Sequence, residues 1–174
     1  MSLLKAENIK LRSKIEDLEN RLLKLVGTIK IFPSGGGLLG NEHIMNNNIA
    51  EIITNASDLK IVAPYITNEY ALILKDRAKN RVKVQIVLND RRLWPQKHVE
   101  IYDQLKVTPG IDLINNPNVK FLLVWSPNTA LFTSGPLDKE SLMKTVLIGT
   151  LINEEGKLKE LLKIFQLMLP SFMR

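Results

Sequence analysis

Residues 58–90 read "DLKIVAPYITNEYALILKDRAKNRVKVQIVLND", and their pattern decides the fold. "DLKIVAPY" is a nearly unbroken apolar run stopped by Pro64. Thr67 is a suitable N-cap, and a helix is predicted from there to about Asn80. "RVKVQIVLN" then alternates briefly before turning continuously apolar, as a strand buried on both faces does. Strand, helix and strand in this order form a crossover unit, which requires a parallel sheet.

The same alternation continues in both directions. Upstream, "TIKIF" reads as a strand and residues 41–56 as a helix with Ile44, Ile49, Ile52 and Ile53 on one side. Downstream come a helix from His98 to Leu105, the strand "GIDLI" and the hairpin "PNVKFLLVWSPNTALFTSGPLD" (residues 117–138). A short helix near Lys139, the strand "TVLIGTLI" and a last helix close the chain. Asn153 is the predicted cap of that helix, and Leu158, Leu161, Leu162, Phe165 and Leu169 form its buried stripe. The expected fold is α/β, a layered, mixed, mainly parallel sheet flanked by helices. Ligands of such sheets lie at the carboxyl ends of the strands.

Residues 1–27 follow a different period. Leu4, Leu11, Leu18 and Leu25 repeat every seven residues at d, with Asn8, Ile15 and Leu22 at a. Leu at d and Ile at a favour two strands, and one Asn at a favours a parallel register. In that register Glu7 faces the partner copy's Arg12 and Lys14 its Glu19, both attractive. The expected organisation is therefore a parallel dimeric coiled coil over 1–27 and an α/β domain over 28–174, with a homodimer as the first partner. No basic helix precedes Leu4, so the coil is not itself a reader of DNA.

Composition narrows the chemistry. The 174 residues carry a net charge of +6, which suits phosphate-rich partners such as nucleic acid. Cysteine is absent, which removes disulfides and thiolate chemistry and fits a reducing cytoplasm. The two histidines, His43 and His98, lie far apart and belong to no metal-ligand spacing, so neither metal nor cofactor is expected. No apolar run reaches the roughly 20 residues of a membrane span. The Gly35-Gly36-Gly37 run lacks the Lys-Ser/Thr ending of a phosphate loop and reads as a flexible connector.

Two places could receive a ligand. "NDRRLWPQKH" (residues 89–98) ends a strand with Arg91, Arg92 and Trp94, groups able to fork onto phosphate and stack on a ring. Tyr65 stands at another strand end, where its hydroxyl could meet a ligand. No Ser-His-Asp set can be assembled from the sequence.

The succession "ASDLKIVAPYIT", "NRVKVQIVLN", "NVKFLLVWSPNTALFTSG" and "TVLIGTLINEEGKLKELLKIFQLML" resembles one repeat of the phospholipase D-like superfamily, over about residues 28–174. In that family the third segment carries His-x-Lys, then Asp, then Gly-Ser. The His attacks phosphorus, and two repeats build one site, so a single-repeat chain reaches two copies by dimerising. Asn118 stands at the His position, Lys120 at the Lys, Trp125 at the Asp, and Thr133-Ser134 at Gly-Ser. An amide cannot replace the imidazole nucleophile. The resemblance thus implies a catalytically silent domain in which Asn118, Lys120 and Ser134 could hold an anion or a sugar-like ligand.

Silent domains of this kind follow a coiled coil in archaeal TrmB-type transcription regulators, where a winged helix comes first. This chain resembles that layout without the winged helix, and an upstream DNA-binding module removed before Met1 would complete it. The expected function is a non-catalytic dimeric module for ligand sensing or regulatory assembly. The alternatives are binding of nucleic-acid backbone and a phosphodiesterase or nuclease with a non-standard site.

Overall fold

The computed structural model describes residues 2–37 and 40–174. Helix α1 (Ser2–Val26) leads through Gly27 and Thr28 into β1 (Ile29–Ser34). There follow α2 (Ile44–Asn55), β2 (Asp58–Ala63), α3 (Asn68–Lys79), β3 (Lys83–Leu88), α4 (Val99–Val107) and β4 (Ile111–Asn115). The chain ends with β5 (Phe121–Trp125), β6 (Ala130–Ser134), α5 (Lys139–Lys144), β7 (Leu147–Ile152) and α6 (Glu155–Leu167).

The seven strands form one sheet in the order β1-β7-β6-β5-β2-β3-β4. The α/β layering with flanking helices and an N-terminal helix is as expected, but the balance of strand directions is not. Only β2-β3 and β3-β4 pair in parallel. The pairs β1-β7, β7-β6, β6-β5 and β5-β2 are antiparallel, so the sheet is mostly antiparallel. The physical reason is that an apolar strand carries no signal for which side of β2 it joins. The chain crosses over after β4 and adds β5 on the far side of β2, running the other way.

Helices α2, α3, α4 and α5 cover one face, where Met45, Ile49, Leu59, Leu74, Ile86 and Leu105 are fully buried. The other face is covered by α6, over Val62, Val87, Leu123 and Trp125. Phe165 in the last turn of α6 is fully buried, a contribution of roughly 1.5–3 kcal/mol for a side chain of this size.

Two caps show where local reading succeeds and fails. Thr67 does occupy the N-cap of α3, with extended backbone, though its hydroxyl makes no capping bond. Glu69 in the first turn and Arg77 and Lys79 in the last complement the helix dipole. At α6 the cap is Glu154 rather than Asn153: its carboxylate accepts from the Gly156 and Lys157 amides at 2.8 and 2.9 Å. Asn153 serves the junction with α1 instead, where its backbone N–H donates to the Thr28 carbonyl at 2.8 Å.

The glycine run does not join coil to domain; it follows β1. Gly35 N–H donates to Asn41 O and Gly36 N–H to Met143 O, at 3.2 and 3.0 Å, so this part is tied to its surroundings rather than free. The described a and d side chains of α1, Leu4, Asn8, Leu11, Ile15, Leu18 and Leu22, are all exposed. The side chain of Leu25 lies outside the described residues. Among the described residues no helix is long and apolar enough to cross a membrane.

Candidate functional site

The site lies where strand order reverses. To reach β5 from β4 the chain must cross the ends of β3 and β2, three strand spacings or about 14 Å. Residues 116–120 reach only about 17 Å when extended. They therefore lie directly across the carboxyl ends of the parallel strands. Asn116 N–H donates to Leu88 O at 2.9 Å, and Val119 N–H donates to the Asn89 side-chain carbonyl at 2.7 Å. Asn89 thus fixes the loop that carries Asn118 and Lys120. Asn118 has φ 69°, a left-handed conformation that Asn tolerates better than most residues.

Tyr65 is brought to the same end. The segment after β6 joins both partners: Gly135 N–H donates to Lys120 O at 3.2 Å, and Leu137 N–H donates to Tyr65 O at 3.0 Å. Asn118 and Lys120 are exposed, and Lys120 has no carboxylate partner among the described residues. The Tyr65 ring stacks on His98, with centroids 5.5 Å apart and planes at 18°. Burial, and then the Asp138 carboxylate, push the Tyr65 hydroxyl above the usual tyrosine range, so it stays a neutral donor.

Other expected site residues are placed differently. Trp94 is buried; its Nε1–H donates to Asn89 O at 3.1 Å and its ring meets Tyr102 edge-on at 5.3 Å. It supports the loop and offers no free face for stacking. Arg91 donates from Nε and Nη2 to the two oxygens of Asp103, each at 2.7 Å. Arg92 donates likewise to Asp90 at 3.0 and 3.2 Å. These hydrogen bonds hold both carboxyls below their usual range. Each arginine gives one edge of its guanidinium to a carboxylate, and the remaining N–H donors of both stay on the exposed side.

Ser134 is not on the Lys120 face. Strand alternation sets Phe121 and its partner Ser134 toward the α6 side, and Lys120, Leu122 and Thr133 toward the other. Thr133 is buried and its hydroxyl donates to Ile148 O at 2.8 Å. Trp125 is buried beneath α6, donating from Nε1 to Leu158 O at 2.9 Å. The sheet end therefore gathers Tyr65, Asn118 and Lys120, while Ser134 and Trp125 face away.

Sequence reading missed His98 and Asp138 as members of this group. His98 lies 33 positions from the ring it stacks on, which no local pattern reveals. Asp138 did carry a signal: it stands two residues before Glu140, whose N–H it caps at 3.0 Å.

Comparison with solved structures is decisive for the fold. The chain superposes on NucT from Helicobacter pylori with a TM-score of 0.69 at 15% identity, covering 82% of this chain and 95% of that one. It matches Nuc from Salmonella typhimurium, a phospholipase D family member, with a TM-score of 0.65 at 16% identity, covering 80% and 92%. The fold is phospholipase D-like. A third match, at TM-score 0.51 and 14% identity, is TrmBL2, an archaeal chromatin protein with a novel mode of DNA binding. That match covers 92% of this chain and 60% of TrmBL2. This is more than residues 28–174 amount to, so it reaches into α1. No protein-family model matches the chain, and no curated protein matches it by sequence. Within the phospholipase D-like fold, the loop over the strand ends presents an amide at Asn118 and an ammonium at Lys120, beside a neutral phenol and an imidazole.

Proposed function

We propose that this chain is a dimeric, non-catalytic phospholipase D-like module that binds a small anionic or sugar-like ligand at the sheet end, as the effector-bearing part of a regulatory assembly. One observation carries the reading. The position matched to the family nucleophile is Asn118, and the matched carboxylate position is Trp125, buried beneath α6. An amide has no lone pair basic enough to attack phosphorus, and an indole cannot orient a base. Binding groups survive where reacting groups do not: Lys120 is exposed and unpaired among the described residues, and Tyr65 is a neutral donor. The exposed a and d stripe of α1 supports pairing with a second copy through a parallel coil.

Titration of the full chain with inorganic phosphate in a calorimeter tests the site. Lys120→Ala should weaken binding roughly tenfold, the value of one charge-assisted contact. No binding by the parent, or equal binding by the variant, removes the anion site.

A second reading is direct contact with nucleic-acid backbone, favoured by the charge of +6. The pairing of Arg91 with Asp103 and of Arg92 with Asp90 weighs against it, because it offsets the positive charge at this edge. Filter binding across a salt series separates the two readings, because a phosphate-dominated complex weakens steeply as salt rises.

A further inference from the structure

A cavity of about 200 Å³ lies at the end of the sheet opposite Asn118 and Lys120. Its walls are α2, the start of β2, the β5–β6 turn and the end of β7. Asn48, Glu51, Ile52 and Asn55 stand at i, i+3, i+4 and i+7 and so share one face of α2. Ser126, Asn128 and Thr129 of the turn complete the wall, with Asn153 just past β7. The lining holds no lysine, arginine or histidine, in a chain whose net charge is +6.

Several donors of this wall are spent inside the protein. Asn48 Nδ2 donates to Ile44 O at 2.9 Å, Asn153 Nδ2 to Thr28 Oγ1 at 3.3 Å, and Ser126 Oγ to Thr129 O at 2.8 Å. What remains is rich in acceptors: the side-chain oxygens of Asn48 and Asn153, and the Glu51 carboxylate. Glu51 pairs with no cation among the described residues. Helix α2 has no basic residue in its last turn, so its negative end adds to the same sign. Arg77 of α3 donates to Ala56 O at 2.7 Å but is not part of the lining.

We propose that this cavity is a second binding site, which takes a small alkylammonium compound bearing a hydroxyl. An ammonium brings three donors and no acceptor, the complement of this wall. It is favoured over a neutral hydroxyl because hydrogen bonds to a charged partner are about twice as strong. Ile52, Pro127 and Leu151 supply an apolar strip for methylene groups. The amides of Asn55 and Asn128 can donate to a hydroxyl or accept from it. The volume is below the roughly 300–1,000 Å³ of drug-sized sites, which limits the ligand to a few non-hydrogen atoms. This site and the loop of Asn118 and Lys120 lie at opposite ends of the sheet and take opposite charges, so each stands without the other.

The test is an amide NMR titration of the full chain at neutral pH with aminobutanol and with butanediol, which differ only in an ammonium for a hydroxyl. Aminobutanol should give saturable shifts at Asn55, Ser57, Asn128 and Thr129, with butanediol at least fivefold weaker. Glu51 is exposed, so Glu51→Gln should keep the fold, as a circular dichroism melt checks. That variant should bind aminobutanol about fivefold to tenfold more weakly, the value of one charge-assisted hydrogen bond near the surface. The proposal is overturned by the absence of saturable shifts with aminobutanol, or by shifts confined to residues 118–120. Equal binding of the diol, or parent-like binding by Glu51→Gln, overturns it as well.

Discussion

Asn89 is the residue on which the site loop turns. Its side-chain oxygen accepts from Val119 N–H, and its backbone oxygen accepts from Trp94 Nε1–H. Asn89→Ala leaves the Val119 N–H without a partner in a largely apolar setting and should cost about 1–3 kcal/mol. Asn89→Asp keeps the acceptor and should cost less, a difference that urea unfolding resolves. The tyrosines give a pH signature. Tyr70 is buried, with its hydroxyl donating to Asn46 Oδ1 at 2.6 Å. Burial first, and then Glu69, raise its pKa above the usual value of 10.0, and Tyr65 is raised as well. Above pH 10 the unfolded chain ionises before the folded one and binds fewer protons. The stabilisation is thus complete below pH 10 and is lost as pH rises beyond it. Urea midpoints should fall above pH 10, and fall less in Tyr70→Phe. At this scale the sequence revealed residue types better than partners. Arg91 and Arg92 look like phosphate forks until α4 brings Asp103 within 2.7 Å of Arg91. Ser134 looks like a companion of Lys120 until the register turns it to the opposite face.

Among elements, the junction of α1 and β1 is the most constrained. Gly27 has φ 75°, and a Cβ there would lie 2.6 Å from the Glu154 Cα. Gly27→Ala should cost about 1–2 kcal/mol for the left-handed backbone and more for the contact. It should also speed amide exchange at Asn153, whose N–H donates to Thr28 O. Gly149 is constrained on the opposite grounds: its missing side chain makes room for the Phe32 ring, 2.4 Å from where a Cβ would sit. The elements themselves were legible because each has an unambiguous period. The β2-α3-β3 unit reads directly from apolar runs around an amphipathic helix, and α1 from its heptads. Pairing direction was not legible. β5, β6 and β7 are apolar runs compatible with either direction, and the crossing of residues 116–120 that reverses them is set by tertiary packing.

For the whole molecule, the phospholipase D-like fold places a loop over the ends of β2 and β3, and this loop presents Asn118 and Lys120. Asn118 and Trp125 were legible as departures from the family pattern. What Trp125 does instead, filling the core beneath α6 and bonding Leu158 O, needed the structure. The proposed reading is that a chain with Asn118 and Trp125 at these two positions has no nucleophile at the sheet end. Hydrolysis of bis(p-nitrophenyl) phosphate by the purified full chain tests that claim most directly. The account predicts no turnover above buffer, for the parent and for Lys120→Ala alike. Steady turnover by the parent that Lys120→Ala abolishes would contradict it.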